Sequence, residues 1–111
     1  CRSLDGRRIV LEEGMVISNE PGYYAAGKFG IRHENLVLVR TGEATDYGQF
    51  LYLEPLTMVP FDRDAIDTAL LTEEELARLN DYHRLVYDTV SPLLPAEEQA
   101  WLAQATAPLQ R

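Results

Sequence analysis

Two apolar, β-branched stretches, each interrupted by one glutamate, constrain the fold more than any other feature of this sequence. The first, 16–24, carries Glu20, and the second, 29–39, carries Glu34. Val, Ile and Tyr favour strands, whereas a buried carboxylate is costly unless its charge is paired or holds a cation. Gly22, Gly27 and Gly30 lie in and beside the connection, which is too long for a two-residue turn. The pattern predicts a β-hairpin with one acid on each arm.

A symmetric hairpin would bring the two acids together. With Gly27 at the midpoint, Glu20 falls opposite Glu34, and their Cβ atoms come within roughly 4.5–5.5 Å. The repulsion can be relieved by protonating one carboxylate, by placing a cationic side chain between them, or by binding a metal ion. Arg32 has the strand parity of Glu34 and so points to the same face. The spacing alone leaves a structural ion pair and a metal-binding or catalytic carboxylate pair as alternatives.

The next part of the chain continues the β pattern. Strands are predicted at 15–20, 31–39 and 50–59, with a polar turn at 41–48. Apolar residues of both parities in the first two strands are typical of strands that are covered on both faces. Pro55 restricts the third strand, because proline cannot donate to a ladder. Glu54 beside it is expected to face solvent or to form an ion pair.

A capping box opens the helical part of the chain. Thr72 and Glu75 are spaced so that each side chain satisfies a free backbone donor of the other residue, and Pro92 is expected to end the helix. His83 lies on or beside its apolar stripe with no second histidine or cysteine at ligand spacing, which favours a packed histidine. A second helix is predicted from Pro95. Its buried stripe would consist of Trp101, Leu102 and Ala105.

Composition limits the classes of partner. The chain has 111 residues, no internal repeat and a net charge of -8, which predicts one domain or part of one and disfavours nucleic acid and anionic membranes as partners. No stretch approaches the roughly 20 apolar residues of a bilayer span, and no secretory signal is present, so a cytoplasmic protein is expected. Cys1, the single cysteine, is interpreted as an ordinary terminal residue. Without an initiating methionine, we expect further residues upstream.

Two linked motifs resemble the C-terminal signature of the Xaa-Pro aminopeptidases, also called aminopeptidase P, within the pita-bread metallopeptidases. They are Asn19-Glu20-Pro21-Gly22-Tyr23-Tyr24 and Phe29-Gly30-Ile31-Arg32-His33-Glu34-Asn35. The segments 53–57, 70–74 and 91–94 are similar to the extra C-terminal segment of the larger members. The resemblance implies an α+β fold, in which an antiparallel sheet of about three strands forms the C-terminal portion of a pita-bread catalytic domain. Residues 1–60 would form these strands, and residues 61–111 a two-helix C-terminal extension.

The resemblance also implies a dinuclear metal site. In that family two divalent ions, usually manganese and sometimes zinc or cobalt, are held by two aspartates, one histidine and two glutamates, and the glutamates match Glu20 and Glu34. Glu20 would hold one ion, Glu34 would bridge both, and Arg32 would orient the carboxylates, while Tyr23 and Tyr24 would pack beneath the site. The other three ligands have no counterpart here. We therefore expect this chain to be inactive alone and to bind metal weakly or not at all.

The implied activity of the full-length protein is removal of the N-terminal residue from peptides with proline in second position. The tail that is resembled here is associated with dimer contacts, so a homodimer is expected. His33 departs from the aliphatic residue that is more usual at that position, and its parity should turn it away from the metals. The alternative is a non-catalytic dimerisation or protein-binding module derived from the same fold. Retention of both glutamates together with Arg32 favours descent from a working enzyme.

Overall fold

The computed structural model describes residue 6 and residues 8–111, and the chain divides into one unit that ends at Thr57 and a second unit, Met58–Arg111. The interpretation of Cys1 therefore lies outside the described residues. The first unit contains β1 (Val16–Asn19), β2 (Gly22–Ala25), β3 (Phe29–Arg32), β4 (Asn35–Thr45) and β5 (Gly48–Pro55). The second contains α1 (Glu73–Val90) and α2 (Ala96–Ala105), with short 3-10 turns at Arg63–Ala65, Thr68–Leu70 and Ser91–Leu93. This is the predicted α+β composition.

The strand pairs β1–β4 and β2–β3 share one antiparallel register. β1, β4 and β5 form a three-stranded sheet in the order β1-β4-β5, and β2 and β3 form a two-stranded sheet. The terminal pairs are Val16–Leu38 and Asn19–Asn35 between β1 and β4, and Gly22–Arg32 and Ala25–Phe29 between β2 and β3. All four pairs are centred on Gly27, whose φ of 69° suits a residue without a Cβ atom. The predicted symmetric hairpin is confirmed.

The turn predicted over 41–48 is wrong, because strand structure occupies most of this region. β4 continues through it with a bulge between Thr41 and Ala44, and only two residues separate β4 from β5. The side-chain amide of Gln49 donates hydrogen bonds to the backbone carbonyls of Gly42 and Glu43 at the bulge. The glycine and polar residues at 41–44 therefore form a bulge, and the turn is limited to the two residues that follow β4. β5 ends at Pro55, four residues before the predicted end.

Among the described residues of the first unit, only two are buried, and both lie on one face of β4. Val37 is 6% exposed and Val39 is fully buried. Most other large apolar strand residues are more than 40% exposed: Val16, Tyr23, Tyr24, Phe29, Ile31, Leu36, Phe50, Leu51, Tyr52 and Leu53. The sequence predicts strands that are covered on both faces. The residues of this unit that the structure describes do not supply that cover.

The helices of the second unit begin and end near the predicted signals. The Thr72 hydroxyl accepts from the backbone N–H of Glu75 at 3.2 Å, and the Glu75 carboxylate accepts from that of Thr72 at 2.8 Å, which confirms the capping box. Leu102 is buried as expected, but Trp101 is 63% exposed. The buried stripe of α2 continues from Leu102 to Thr106, one turn later, and Trp101 lies about 100° away around the helix. Among the residues described, no helix has the length and apolar content needed to cross a bilayer.

Candidate functional site

The two predicted acids lie on the same side of the hairpin. Glu20 lies between β1 and β2, Glu34 lies between β3 and β4, and the shared register places them opposite each other. Arg32, the last residue of β3, contacts both carboxylates. Its Nη1 lies 3.7 Å from Oε2 of Glu20, and its Nε lies 3.2 Å from Oε2 of Glu34. The structure therefore brings together all three residues that the sequence singled out.

This cluster is open to solvent. The side chains of Arg32, Glu20 and Glu34 are 52%, 45% and 42% exposed, so water screens their interaction. The Ser18 hydroxyl donates a 2.6 Å hydrogen bond to Oε1 of Glu20, which fixes that carboxylate from the opposite side. Exposed ion pairs add little to stability. The main effect of Arg32 is therefore to hold two mutually repelling carboxylates in one place.

Tyr24 belongs to the same cluster, and sequence reasoning missed its contact. A hydrogen bond to Tyr24, followed by the charges of Glu34 and Glu20, raises the pKa of Arg32 above its ordinary value. Tyr24 was expected to pack beneath the site, but it is 65% exposed. It shares strand parity with Glu20 and Arg32, which indicates the shared face but not the contact itself.

Gly22 and Gly30 are diagonal neighbours across β2 and β3, and they make room for the Tyr24 ring. A Cβ atom at Gly22 would lie 2.6 Å from the Tyr24 hydroxyl oxygen, and one at Gly30 would lie 2.7 Å from ring atom Cδ1. Larger residues at either position would push the ring aside. Tyr23 points to the other face, where its ring centroid is 5.9 Å from that of Phe29.

A second arginine, Arg40 on β4, pairs with Glu54, the acidic residue of β5. Nε of Arg40 lies 3.1 Å from Oε2 of Glu54, which confirms the expected ion pair. Tyr52 is the direct cross-strand neighbour of Arg40. A hydrogen bond to Tyr52, followed by the charge of Glu54, raises the pKa of Arg40. Glu54 therefore belongs to a separate ion pair on β4 and β5.

The donor chemistry of the first cluster fits part of a metal site. Carboxylates suit hard divalent cations such as manganese, and two carboxylates that face one guanidinium could face one cationic centre instead. Over residue 6 and residues 8–111, no group of three or more His, Cys, Asp or Glu side chains is close enough to hold an ion. Glu20 and Glu34 can thus contribute two ligands, and a complete coordination shell needs further donors.

Comparisons with known proteins show that this chain is similar to metallopeptidases of family M24. A family model described as the C-terminal region of peptidase M24 matches residues 49–109, and one for metallopeptidase family M24 matches residues 2–41. The probable Xaa-Pro aminopeptidase P of Laccaria bicolor is 46% identical over 104 residues, which are 89% of this chain and 16% of that protein. Aminopeptidase P2 of Arabidopsis thaliana is 44% identical over 110 residues, 96% of this chain and 16% of that protein.

A solved structure shows the same arrangement of the backbone. The X-prolyl aminopeptidase of Caenorhabditis elegans, described as a cytosolic enzyme with a di-nuclear active site, matches with a TM-score of 0.80 and 36% identity. The match covers 89% of this chain and 17% of that one. The chain thus spans about 16% of the length of the curated relatives named above. Glu20, Arg32 and Glu34 all fall within the segment that matches metallopeptidase family M24.

Proposed function

Because this chain belongs to peptidase family M24, we propose that it is the C-terminal segment of a metal-dependent Xaa-Pro aminopeptidase, which removes the N-terminal residue from peptides with proline in second position. The main support is the placement of Glu20 and Glu34 on one face with Arg32 between them. The relatives are named for this activity, and the C. elegans enzyme is described as di-nuclear and cytosolic. We propose the cytoplasm as the compartment and a homodimer as the assembly.

We assign Glu20 and Glu34 as metal ligands. Glu20 would hold one ion and Glu34 would bridge two, with manganese as the proposed metal and zinc or cobalt as alternatives. Two such ions supply Lewis acidity toward a water molecule and toward the scissile carbonyl of the peptide. Arg32 orients the two carboxylates, and Tyr24 in turn holds Arg32 through its hydrogen bond. Ser18 fixes the second oxygen of Glu20.

We further propose that residues 1–60 complete the catalytic domain and that residues 61–111 form a helical extension. The division into compact units at Thr57 and Met58 supports this proposal, since it lies within three residues of the boundary. The extension contains both α-helices and presents Trp101, 63% exposed, as a surface side chain. An exposed tryptophan is a typical anchor of a protein interface and supports the proposed role in assembly.

A chimeric enzyme tests the proposed function and needs no more of this protein than the present chain. Residues 9–111 would replace the corresponding segment of the C. elegans X-prolyl aminopeptidase, which has the same backbone arrangement. We expect metal-dependent release of the first residue from a Xaa-Pro peptide, and loss of that turnover to background in the Glu34→Gln chimera. Glu54→Gln is the matched control, because Glu54 is a half-exposed carboxylate that pairs with a different arginine. It should retain turnover.

Two results would contradict the proposal. Unchanged turnover of the Glu34→Gln chimera would reject the ligand assignment. A folded chimera that neither takes up manganese nor releases the first residue would favour the non-catalytic dimerisation or protein-binding module. Metal content by mass spectrometry and circular dichroism of each chimera separate these results from simple misfolding.

A further inference from the structure

His83 is a fully buried histidine that the proposed chemistry does not use. It lies on α1, and its exposed fraction is 0%. The rings of Phe61 and Tyr82 flank it, with centroid distances of 6.4 and 6.1 Å. A packed histidine was the expectation from the sequence, and it is confirmed. The sequence did not predict the hydrogen bond that this ring makes.

The ring acts as a hydrogen-bond acceptor. Its Nε2 accepts from the backbone N–H of Phe61 at 3.1 Å, so Nε2 carries no proton and the neutral ring must carry its proton on Nδ1. Nδ1 is buried and has no hydrogen-bond partner within the described chain. The contact therefore requires the uncharged form of His83.

Tyr82, the residue before His83, forms a hydrogen bond with the segment 59–61, to which Phe61 belongs. The Tyr82 hydroxyl donates to the backbone carbonyl of Val59 at 2.9 Å. Two consecutive residues of α1 thus hold two alternate residues of the segment 59–61, and Pro60 between them has no N–H to donate. Protonation of His83 would remove its hydrogen bond to Phe61 and leave the hydrogen bond between Tyr82 and Val59 in place.

The charges around His83 oppose its protonation. Burial, followed by the positive charge of Arg63, lowers the pKa of His83. Arg63 is held nearby because its Nη1 donates to the backbone carbonyl of Gln104, near the end of α2, at 3.0 Å. On the connection, Asp62 and Asp64 flank Arg63 and are exposed, and Asp62 accepts from the backbone N–H of Asp64.

The other neighbouring elements add little compensating charge. On α1, Asp81 and Arg84 flank Tyr82 and His83, but they are exposed and pair with each other at 2.8 Å. The second half of α2, residues 99–105, contains no charged residue. The acidic residues of both helices are all exposed, so none of them is buried beside the imidazole.

We propose that His83 is an acid-released latch, which holds the Phe61 end of segment 59–61 on α1 while neutral and releases that end when protonated. Protonation places an N–H on Nε2, so that two donors face each other where one bond existed. It also adds a second positive charge beside Arg63 in a buried position. The latch is independent of the metal chemistry, since all of its parts lie in the second unit.

The pH window follows from the direction of the shift. The pKa of His83 is lower in the folded chain than the ordinary value of about 6.5, so the released state binds more protons than the folded state. The contribution of the latch is complete above this ordinary value and is lost as the pH falls toward the folded pKa. Within that window the equilibrium constant for release rises by about tenfold per pH unit.

Histidine NMR of the whole chain tests the latch directly, since the sequence has only two histidines. With ¹⁵N-labelled imidazoles, His83 should be the neutral Nδ1–H tautomer and should titrate below the ordinary histidine value. His33, which is exposed, provides the internal comparison. An Nε2–H tautomer, or titration of His83 at or above the ordinary value, would overturn the proposal even if every variant failed to fold.

Unfolding measurements then test the consequence. Fluorescence of Trp101, the single tryptophan, reports on the second unit between pH 7.5 and pH 5. His83→Gln keeps an oxygen that can accept from Phe61 but cannot be protonated, so its unfolding midpoint should lose the acid dependence of the unmodified chain. His33→Gln, in the first unit, should keep that dependence. Equal pH dependence of His83→Gln and the unmodified chain would reject the latch.

Discussion

At the residue scale, the Tyr24 hydroxyl is the largest cause of the raised pKa of Arg32, which lies between two carboxylates. Tyr24→Phe would keep the ring over Gly22 and Gly30 and remove the hydroxyl that interacts with Arg32. In the chimeric enzyme we expect its metal affinity or kcat/KM to fall by about 10–100-fold, the usual effect of removing a group that orients a metal ligand. Metal titration and steady-state kinetics measure the two quantities.

Tyr23→Phe is the matched control for this prediction. It removes the same atom from the neighbouring residue, whose ring packs with Phe29 on the opposite face. Its kinetics should equal those of the unmodified chimera. Equal kinetics for Tyr24→Phe and Tyr23→Phe would show that the hydroxyl of Tyr24 has no role in orienting the site.

The three acid and base positions were predictable because a strand has a period of two. Parity and one central glycine were enough to place Glu20 opposite Glu34 with Arg32 on the same face. The contact of Tyr24 was not predictable in this way, because it depends on the rotamer that carries the ring back across Gly30. Parity gives the face of a side chain and not the neighbour that it reaches.

At the element scale, the capping box should contribute measurably to the stability of α1. The Thr72 hydroxyl and the Glu75 carboxylate satisfy two backbone donors that have no partner within the helix. Thr72→Ala should lower the free energy of unfolding of the second unit by about 0.5–2 kcal/mol. Urea unfolding followed by Trp101 fluorescence measures this difference.

Thr89→Ala provides the control, since Thr89 is exposed in the last turn of α1. This change removes no cap, and it should leave stability unchanged or raise it slightly because alanine has the higher helix propensity. A loss of stability at Thr89 equal to that at Thr72 would mean that the cap makes no specific contribution.

Signals within one segment predicted the helices better than the strands. A capping box and prolines are local, and they placed both helix starts. The bulge between Thr41 and Ala44 depends on how β4 pairs with β5, whereas a polar, glycine-containing stretch by itself predicts a turn. Trp101 is exposed although helical spacing predicts it in the buried stripe of α2, because its own helix does not specify which neighbour covers it.

At the scale of the whole molecule, the first unit lacks both cover for its apolar side chains and a full set of the proposed metal ligands. The described strands leave large apolar side chains more than 40% exposed, and the hairpin would supply two carboxylates to the proposed metal centre, which needs more donors. The relatives are about six times as long as the matched segment. Both features are consistent with a segment that completes a larger catalytic domain.

The separated chain should therefore differ from the chimera in metal binding. Two carboxylates that are already paired with Arg32 have little free energy to gain from manganese, and we expect a dissociation constant on the order of 10⁻³ M or weaker and no peptide hydrolysis. Calorimetric titration with manganese measures the affinity. In the chimera the same two carboxylates should take part in tight binding, and Glu20→Gln should reduce it there while leaving the weak binding of the separated chain almost unchanged. Stoichiometric, micromolar binding by the separated chain would mean that its own residues form a complete site, and the proposal that the other ligands lie elsewhere would be wrong.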